Sequence, residues 1–151
     1  VDTFDDRLDH WTLSTDFIVG FPTETAADHE RSMDLFREIR PEKANVTRFS
    51  KRPGTDAADL KGLGGQVKKD RSKEMSALQR AVAAETYASM VGSVREVLAV
   101  REGTGDSMKC RDDAYRQIIV RNADERGIDP GDTLTVEVTG HQTVYAFGEP
   151  V

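Results

Sequence analysis

A single cysteine, Cys110, occurs in 151 residues, so no disulfide can close within the chain and a reducing cytoplasm fits. The three histidines, His10, His29 and His141, lie in separate segments. With one thiol they cannot build a structural zinc site, and each reads as a surface or capping residue. No apolar run approaches the ~20 residues of a membrane span, and no basic-then-apolar opening suggests a signal peptide. Glycine patterns that would cradle a nucleotide are also missing. Gly103-x-Gly105 has no third glycine and lies between predicted strands, while the stretch from Gly62 to Gly65 lacks the Gly-Lys-Ser/Thr ending and reads as a mobile linker. Cys110 has no neighbouring histidine or acid to activate it and reads as a small buried thiol.

Hydrophobic residues make up 37% of the chain, enough for a modest core and against wholesale disorder. The formal charge of −6 comes from 16 Asp and 11 Glu set against 14 Arg and 7 Lys. Short carboxylates in excess suit a salt-adapted, halophile-like surface and an ordinary acidic protein equally well. The charge is uneven: residues 41–90 carry ten bases and six acids, whereas both flanks are acidic. An anion is therefore sought first in the middle.

Phe4, Leu8 and Trp11 stand at helical spacing, so the chain is expected to open in or near the end of a helix. The apolar run Phe17-Ile18-Val19 reads as a strand buried on both faces, stopped by Gly20 and Pro22. Thr25 followed by Asp28 has the form of a helix-starting cap. The helix is then expected to reach about Arg40, burying Met33, Phe36 and Ile39 with Leu35 at the edge, and to end at Pro41. Residues 44–50 form another strand, and strand–helix–strand with short links is the βαβ signature of a parallel sheet. Residues 51–66 read as loop. A long helix follows from about Val67 to Met90, with Met75, Leu78, Val82 and Thr86 on one stripe and Lys68, Lys69, Arg71 and Lys73 crowding its start against the dipole.

After Gly92 the pattern changes to short alternating runs, 94–101, 108–110, 115–121, 133–139 and 143–147, divided by glycine- and aspartate-rich turns. Five short strands in about sixty residues predict a small antiparallel barrel, with a domain boundary near residue 90. The turn from Gly20 to Thr25 lies where α/β folds place ligands, at the carboxyl end of a parallel strand and before a helix N-terminus. Gly20 permits close approach and Glu24 could accept from ribose hydroxyls. The same spacing also suits an ordinary strand-to-helix turn.

The residues DFIVGFPTET (16–25), NVTRFSKRPGTDAA (45–58) and KKDRSK (68–73), in this order, resemble the C-terminal half of the radical-SAM methylthiotransferases. These enzymes add a methylthio group to an adenosine of tRNA or, in one branch, to a ribosomal protein. Residues from about 90 onward are similar to that family's TRAM domain, a small β-barrel that grips tRNA. The wording looks nearest to the archaeal and eukaryotic branch acting on threonylcarbamoyladenosine beside the anticodon. The resemblance implies an α/β part over residues 1–89, a fragment of a partial (β/α) TIM-type radical-SAM barrel, followed by an all-β part over 90–151, a five-stranded antiparallel TRAM barrel.

By the same resemblance Ile18, Gly20, Phe21, Pro22 and Glu24 line an S-adenosylmethionine site, with Phe49 and Ser50 near the adenine. Thr23 replaces the family's usual glycine, which strains the turn if that position needs a positive φ. The family's 4Fe-4S clusters need three or four thiolates, which one cysteine cannot supply, so the chain is expected to be a fragment, inactive without the N-terminal half of the barrel. A barrel fragment of this kind exposes an apolar edge that another chain or segment must cover.

For RNA, the candidates are Lys51, Arg52, Lys61, Lys68, Lys69, Arg71 and Lys73 in the basic middle, and Lys109, Arg111, Tyr115, Arg116 and Arg121 in the barrel, with His141, Tyr145 and Phe147 available for stacking. Outward strand positions are also simply polar in many sheets, and the overall negative charge argues against strong unspecific binding. Three functions therefore stand side by side. The first is half of a cytoplasmic tRNA methylthiotransferase. The others are a non-catalytic RNA-binding module and an acidic domain that self-associates through its open edge.

Overall fold

A computed structural model describes residues 1–151 as two compact units, Leu13–Val82 and Val1–Thr12 with Ala83–Val151. No helix is long and apolar enough to cross a membrane.

In the first unit β1 (Ser14–Val19) pairs in parallel with β2 (Lys43–Arg48), and α2 (Ala26–Ile39) makes the crossover. The expected cap is present. Thr25 Oγ1 accepts from the Asp28 amide at 3.1 Å while Asp28 Oδ2 accepts from the Thr25 amide at 2.9 Å, so two orphan donors of the first turn are satisfied reciprocally. Arg40 ends α2 in the left-handed region at φ 44°, and Pro41 prevents continuation. Val19, Met33, Phe36, Met75 and Val82 form the core, with the Phe17 and Phe36 rings 5.1 Å apart.

Two expectations are corrected here. Burial on both faces of β1 is not seen, because with only two strands paired its residues alternate and Ile18 is 62% exposed. His29 is buried rather than superficial. A single 3-10 turn (Asp56–Ala58) interrupts the loop before α3 (Gly65–Ser89), whose Met75 and Val82 fill the core as their spacing predicts.

The second unit is a closed barrel of β3 (Val94–Glu102), β4 (Ser107–Arg111), β5 (Gln117–Arg121), β6 (Thr133–Gln142) and β7 (Tyr145–Pro150), in the order β3-β4-β5-β7-β6. Period-two alternation sends Val97, Met108, Ile118, Val120, Val136 and Val138 inward. The barrel is mixed, not purely antiparallel as expected: β5 and β7 run parallel. The reason is topological. Directions cannot alternate all the way round a closed ring of five strands, so at least one neighbouring pair must be parallel. At the N-terminus the predicted helix shortens to α1 (Asp2–Asp5), with Phe4 and Trp11 meeting at 5.4 Å and the Trp11 Nε1–H donating to Asp5 Oδ1 at 3.1 Å.

Candidate cofactor turn and RNA-binding face

The turn after β1 is organised by Glu24. Its Oε2 accepts from the amides of Gly20 and Phe21, the latter at 3.0 Å, which curls the backbone over its own carboxylate. Its Oε1 faces Arg71 Nη1 at 3.1 Å, and the same guanidinium nitrogen donates to the Glu24 carbonyl at 3.1 Å, tying α3 to the turn. His29 stands between two carboxylates, with Nδ1 3.5 Å from Glu24 Oε1 and Nε2 3.0 Å from Glu74 Oε2. The Arg71 guanidinium thus balances an almost enclosed acid. Glu24 therefore spends its acceptors inside the turn and shapes it, rather than presenting them outward.

Gly20 carries the left-handed backbone, at φ 77°, and a methyl on it would run into the Lys68 side chain, which crosses it to reach the Phe49 carbonyl with Nζ at 3.4 Å. Thr23 has no positive φ, so its replacement of glycine strains nothing. Pro22 is buried and Ser50 is exposed. Phe21 and Phe49 meet edge to face at 5.0 Å at the carboxyl ends of β1 and β2, and Ile18 is exposed beside that end of the sheet. These carbon surfaces, rather than the turn's engaged amides, are what the site offers a ligand.

Within the basic middle, Lys51 donates to the Ala58 carbonyl at 2.7 Å, and Lys68 and Arg71 hold the turn as described. Arg52, Lys61, Lys69 and Lys73 are exposed.

In the barrel, the register places outward side chains in rows across three neighbouring strands. Lys109 on β4 pairs with Ile119 on β5, and Ile119 with Phe147 on β7; Ser107 pairs with Arg121, and Arg111 with Gln117. Arg121 lies over the Phe147 ring at 4.3 Å, and Tyr145 meets Phe147 edge to face at 5.5 Å. A groove of about 550 Å³ runs between Lys109, Ile119, Arg121, Tyr145 and Phe147, with one carboxylate, Asp106, also in its lining. A guanidinium held on a ring, a free ammonium and a second ring make a surface on which planar anionic ligands stack and pair.

Arg111 and Tyr115 lie together at the β4–β5 turn, with the guanidinium 4.6 Å from the ring centre. Arg116 is structural, donating Nη2 to the Trp11 carbonyl at 3.0 Å. Ile119 and Gln117 escaped the sequence reading; outward parity on β5 was the signal that identifies them. Cys110 is fully buried, and burial pushes its thiol up to about 11, so it is neither a nucleophile nor a ready metal ligand.

No protein-family model matches the chain. Over 149 residues, 99% of its length, it is 38% identical to a probable threonylcarbamoyladenosine tRNA methylthiotransferase of Archaeoglobus fulgidus, of which it spans 34%. A protein of the same name from Pyrococcus abyssi is 33% identical over 149 residues, again 34% of the relative. A tRNA-2-methylthio-N(6)-dimethylallyladenosine synthase of Streptomyces griseus is 38% identical over 137 residues, 84% of this chain and 26% of that protein. The chain belongs to the tRNA methylthiotransferase family. It spans about a third of the length of those archaeal relatives. A conserved Methanococcus maripaludis protein solved in solution shares 30% identity over 40% of this chain and 79% of its own, at a TM-score of 0.34. The segments that carry the resemblance, 16–25, 45–58 and 68–73, fall on β1 with the turn after it, on β2 with its following loop, and on the start of α3.

Proposed function

We propose that this chain supplies part of the S-adenosylmethionine site and the tRNA grip of a cytoplasmic radical-SAM methylthiotransferase acting on threonylcarbamoyladenosine next to the anticodon. Residues 1–89 are read as the last part of the radical-SAM barrel and residues 90–151 as the TRAM domain. Support comes from the relatives named for that reaction and from the place of the GFP turn at the carboxyl ends of two parallel strands.

The turn fits the nucleoside end of the cofactor through Ile18, Phe21 and Phe49, whose carbon surfaces suit an adenine, with Gly20 and Pro22 shaping the backbone and Ser50 beside it. Glu24 keeps the turn curled, and Arg71 and Lys68 hold it against α3. When bound, S-adenosylmethionine supplies the radical chemistry and the methyl group of methylthio transfer. The residues here do not fit a 4Fe-4S cluster, since the one thiol is buried and no three His, Cys, Asp or Glu side chains converge. On this reading the clusters and the remaining barrel strands belong to the N-terminal half, and the chain alone is inactive.

The observation that carries the tRNA part is the Arg121–Phe147–Tyr145 cluster beside Lys109. It equally favours a second reading, a non-catalytic RNA-binding module. The test joins this chain to a complete N-terminal half and analyses tRNA nucleosides by mass spectrometry. Methylthio-threonylcarbamoyladenosine is the expected product. Its absence from a cluster-loaded enzyme that still binds tRNA would leave the binding module standing instead.

A further inference from the structure

The turn joining β4 to β5 is held more firmly than a connection needs. Tyr115 sits in the left-handed region at φ 66°, costly for a bulky side chain, and the residue is 73% exposed. A set of hydrogen bonds fixes the segment. The Tyr115 amide donates to the Asp112 carbonyl at 2.9 Å, the Arg116 amide to Asp112 Oδ1 at 2.7 Å, and the Ala114 amide to Asp113 Oδ1 at 2.9 Å. Thr12 Oγ1 donates to the Ala114 carbonyl at 2.6 Å, Arg116 Nη2 to the Trp11 carbonyl at 3.0 Å, and Arg111 Nη1 to the Tyr115 carbonyl at 2.9 Å. Strain held this tightly to keep a large aromatic in solvent brings the barrel no core packing.

We propose that this turn is a rigid post that stacks one unpaired nucleobase of a bound RNA on the free face of the Tyr115 ring. The proposal rests on the RNA-binding reading above. Arg111 covers one face of the ring at 4.6 Å and can meet an adjoining phosphate. On the side of β3 the neighbouring groove mixes Glu96, Asp112 and Asp113 with Arg95 and Arg111, so it offers a phosphate backbone no run of unopposed cations. On the other side Arg111 and Lys109 alternate outward along β4, leading to Arg121 and Phe147. The strand therefore runs along β4 from the post to the aromatic groove. A base inside a duplex is stacked and paired and cannot reach the ring, so the post selects single-stranded segments.

The test measures binding of a single-stranded oligoribonucleotide and of its blunt duplex to the parent chain, Tyr115→Gly and Phe147→Ala. Glycine relieves the positive φ, so Tyr115→Gly is expected to melt no lower than the parent. It should nevertheless lose about tenfold in single-strand affinity, a stacked base being worth roughly 1–3 kcal/mol, with duplex affinity unchanged. In parallel, 2-aminopurine placed along the oligonucleotide should be quenched by the parent at a position that Tyr115→Gly releases. Unchanged single-strand binding by Tyr115→Gly, alongside a loss in Phe147→Ala, overturns the post and leaves the RNA reading intact. Equal losses on single strand and duplex, or quenching at no position, also overturn it. A parent chain that binds neither RNA defeats the underlying reading and the post with it.

Discussion

Asp112 is 6% exposed, with Oδ1 accepting from the Arg116 amide and Oδ2 without a hydrogen-bond partner. Burial raises its carboxyl above the ordinary 3.8, outweighing the Arg116 amide and guanidinium that pull the other way. The native chain thus holds this proton at a pH where the unfolded chain has released it. Asp112 therefore contributes stability at low pH that is lost as pH rises through its folded value. Melting the parent and Asp112→Asn between pH 4 and 7 should show the difference shifting in the parent's favour toward acid; a flat difference would mean that burial does not govern this group. The Arg116 amide four residues on is a local partner of Asp112, but its enclosure is not marked in the local sequence, because it lies beside β3, with Arg95 from that strand among its neighbours. His29 is similar: its carboxylate neighbours are five and 45 residues away, so spacing alone placed it on the surface. Gly20 was legible as a close-approach glycine, but its neighbour Lys68 was not, since α3 reaches the turn only in three dimensions.

At the scale of elements, local signals carried most of the fold. The Thr25–Asp28 cap, the Pro41 stop and the inward Leu134-Val136-Val138 alternation act within a few residues, and each appears as the spacing predicts. Strand direction around the barrel is a property of closure, so hairpin logic alone missed the parallel β5–β7 pair. That pair depends on Gly148. A β-carbon there would stand 2.8 Å from Ile118 Cγ2 and 3.0 Å from Val136 Cγ2, inside the packed barrel, whereas one at Gly140 would make an ordinary 3.7 Å contact with Phe147. Gly148→Ala should accordingly destabilise the barrel by about 1–3 kcal/mol through overpacking, with Gly140→Ala close to the parent. Chemical denaturation of both variants checks this, and equal stabilities would show that the strands can part without cost.

For the whole molecule, the change of hydrophobic period from helical to alternating is visible along the chain, which is why an α/β part followed by a barrel could be read from it. What spacing could not supply was the sorting of its cations. Lys51, Lys68, Arg71 and Arg116 are engaged with the chain's own carbonyls and carboxylates, while Lys109, Arg111 and Arg121 share the outward face of β4 and β5, Arg111 with one nitrogen on the Tyr115 carbonyl as well. A molecule of net charge −6 gains little from unspecific attraction to RNA, so the proposed RNA binding needs a local patch, and the barrel face is the one proposed. Each phosphate neutralised on a single strand releases about 0.7 counterions, so three cations give a slope of roughly −2 for log affinity against log salt. Lys109→Ala should make that slope shallower by about 0.7, while Lys51→Ala, removing a cation bound to its own loop, should leave it unchanged. Titrations at several salt concentrations decide the matter: equal slopes for the parent and Lys109→Ala would move the phosphate contacts off the barrel.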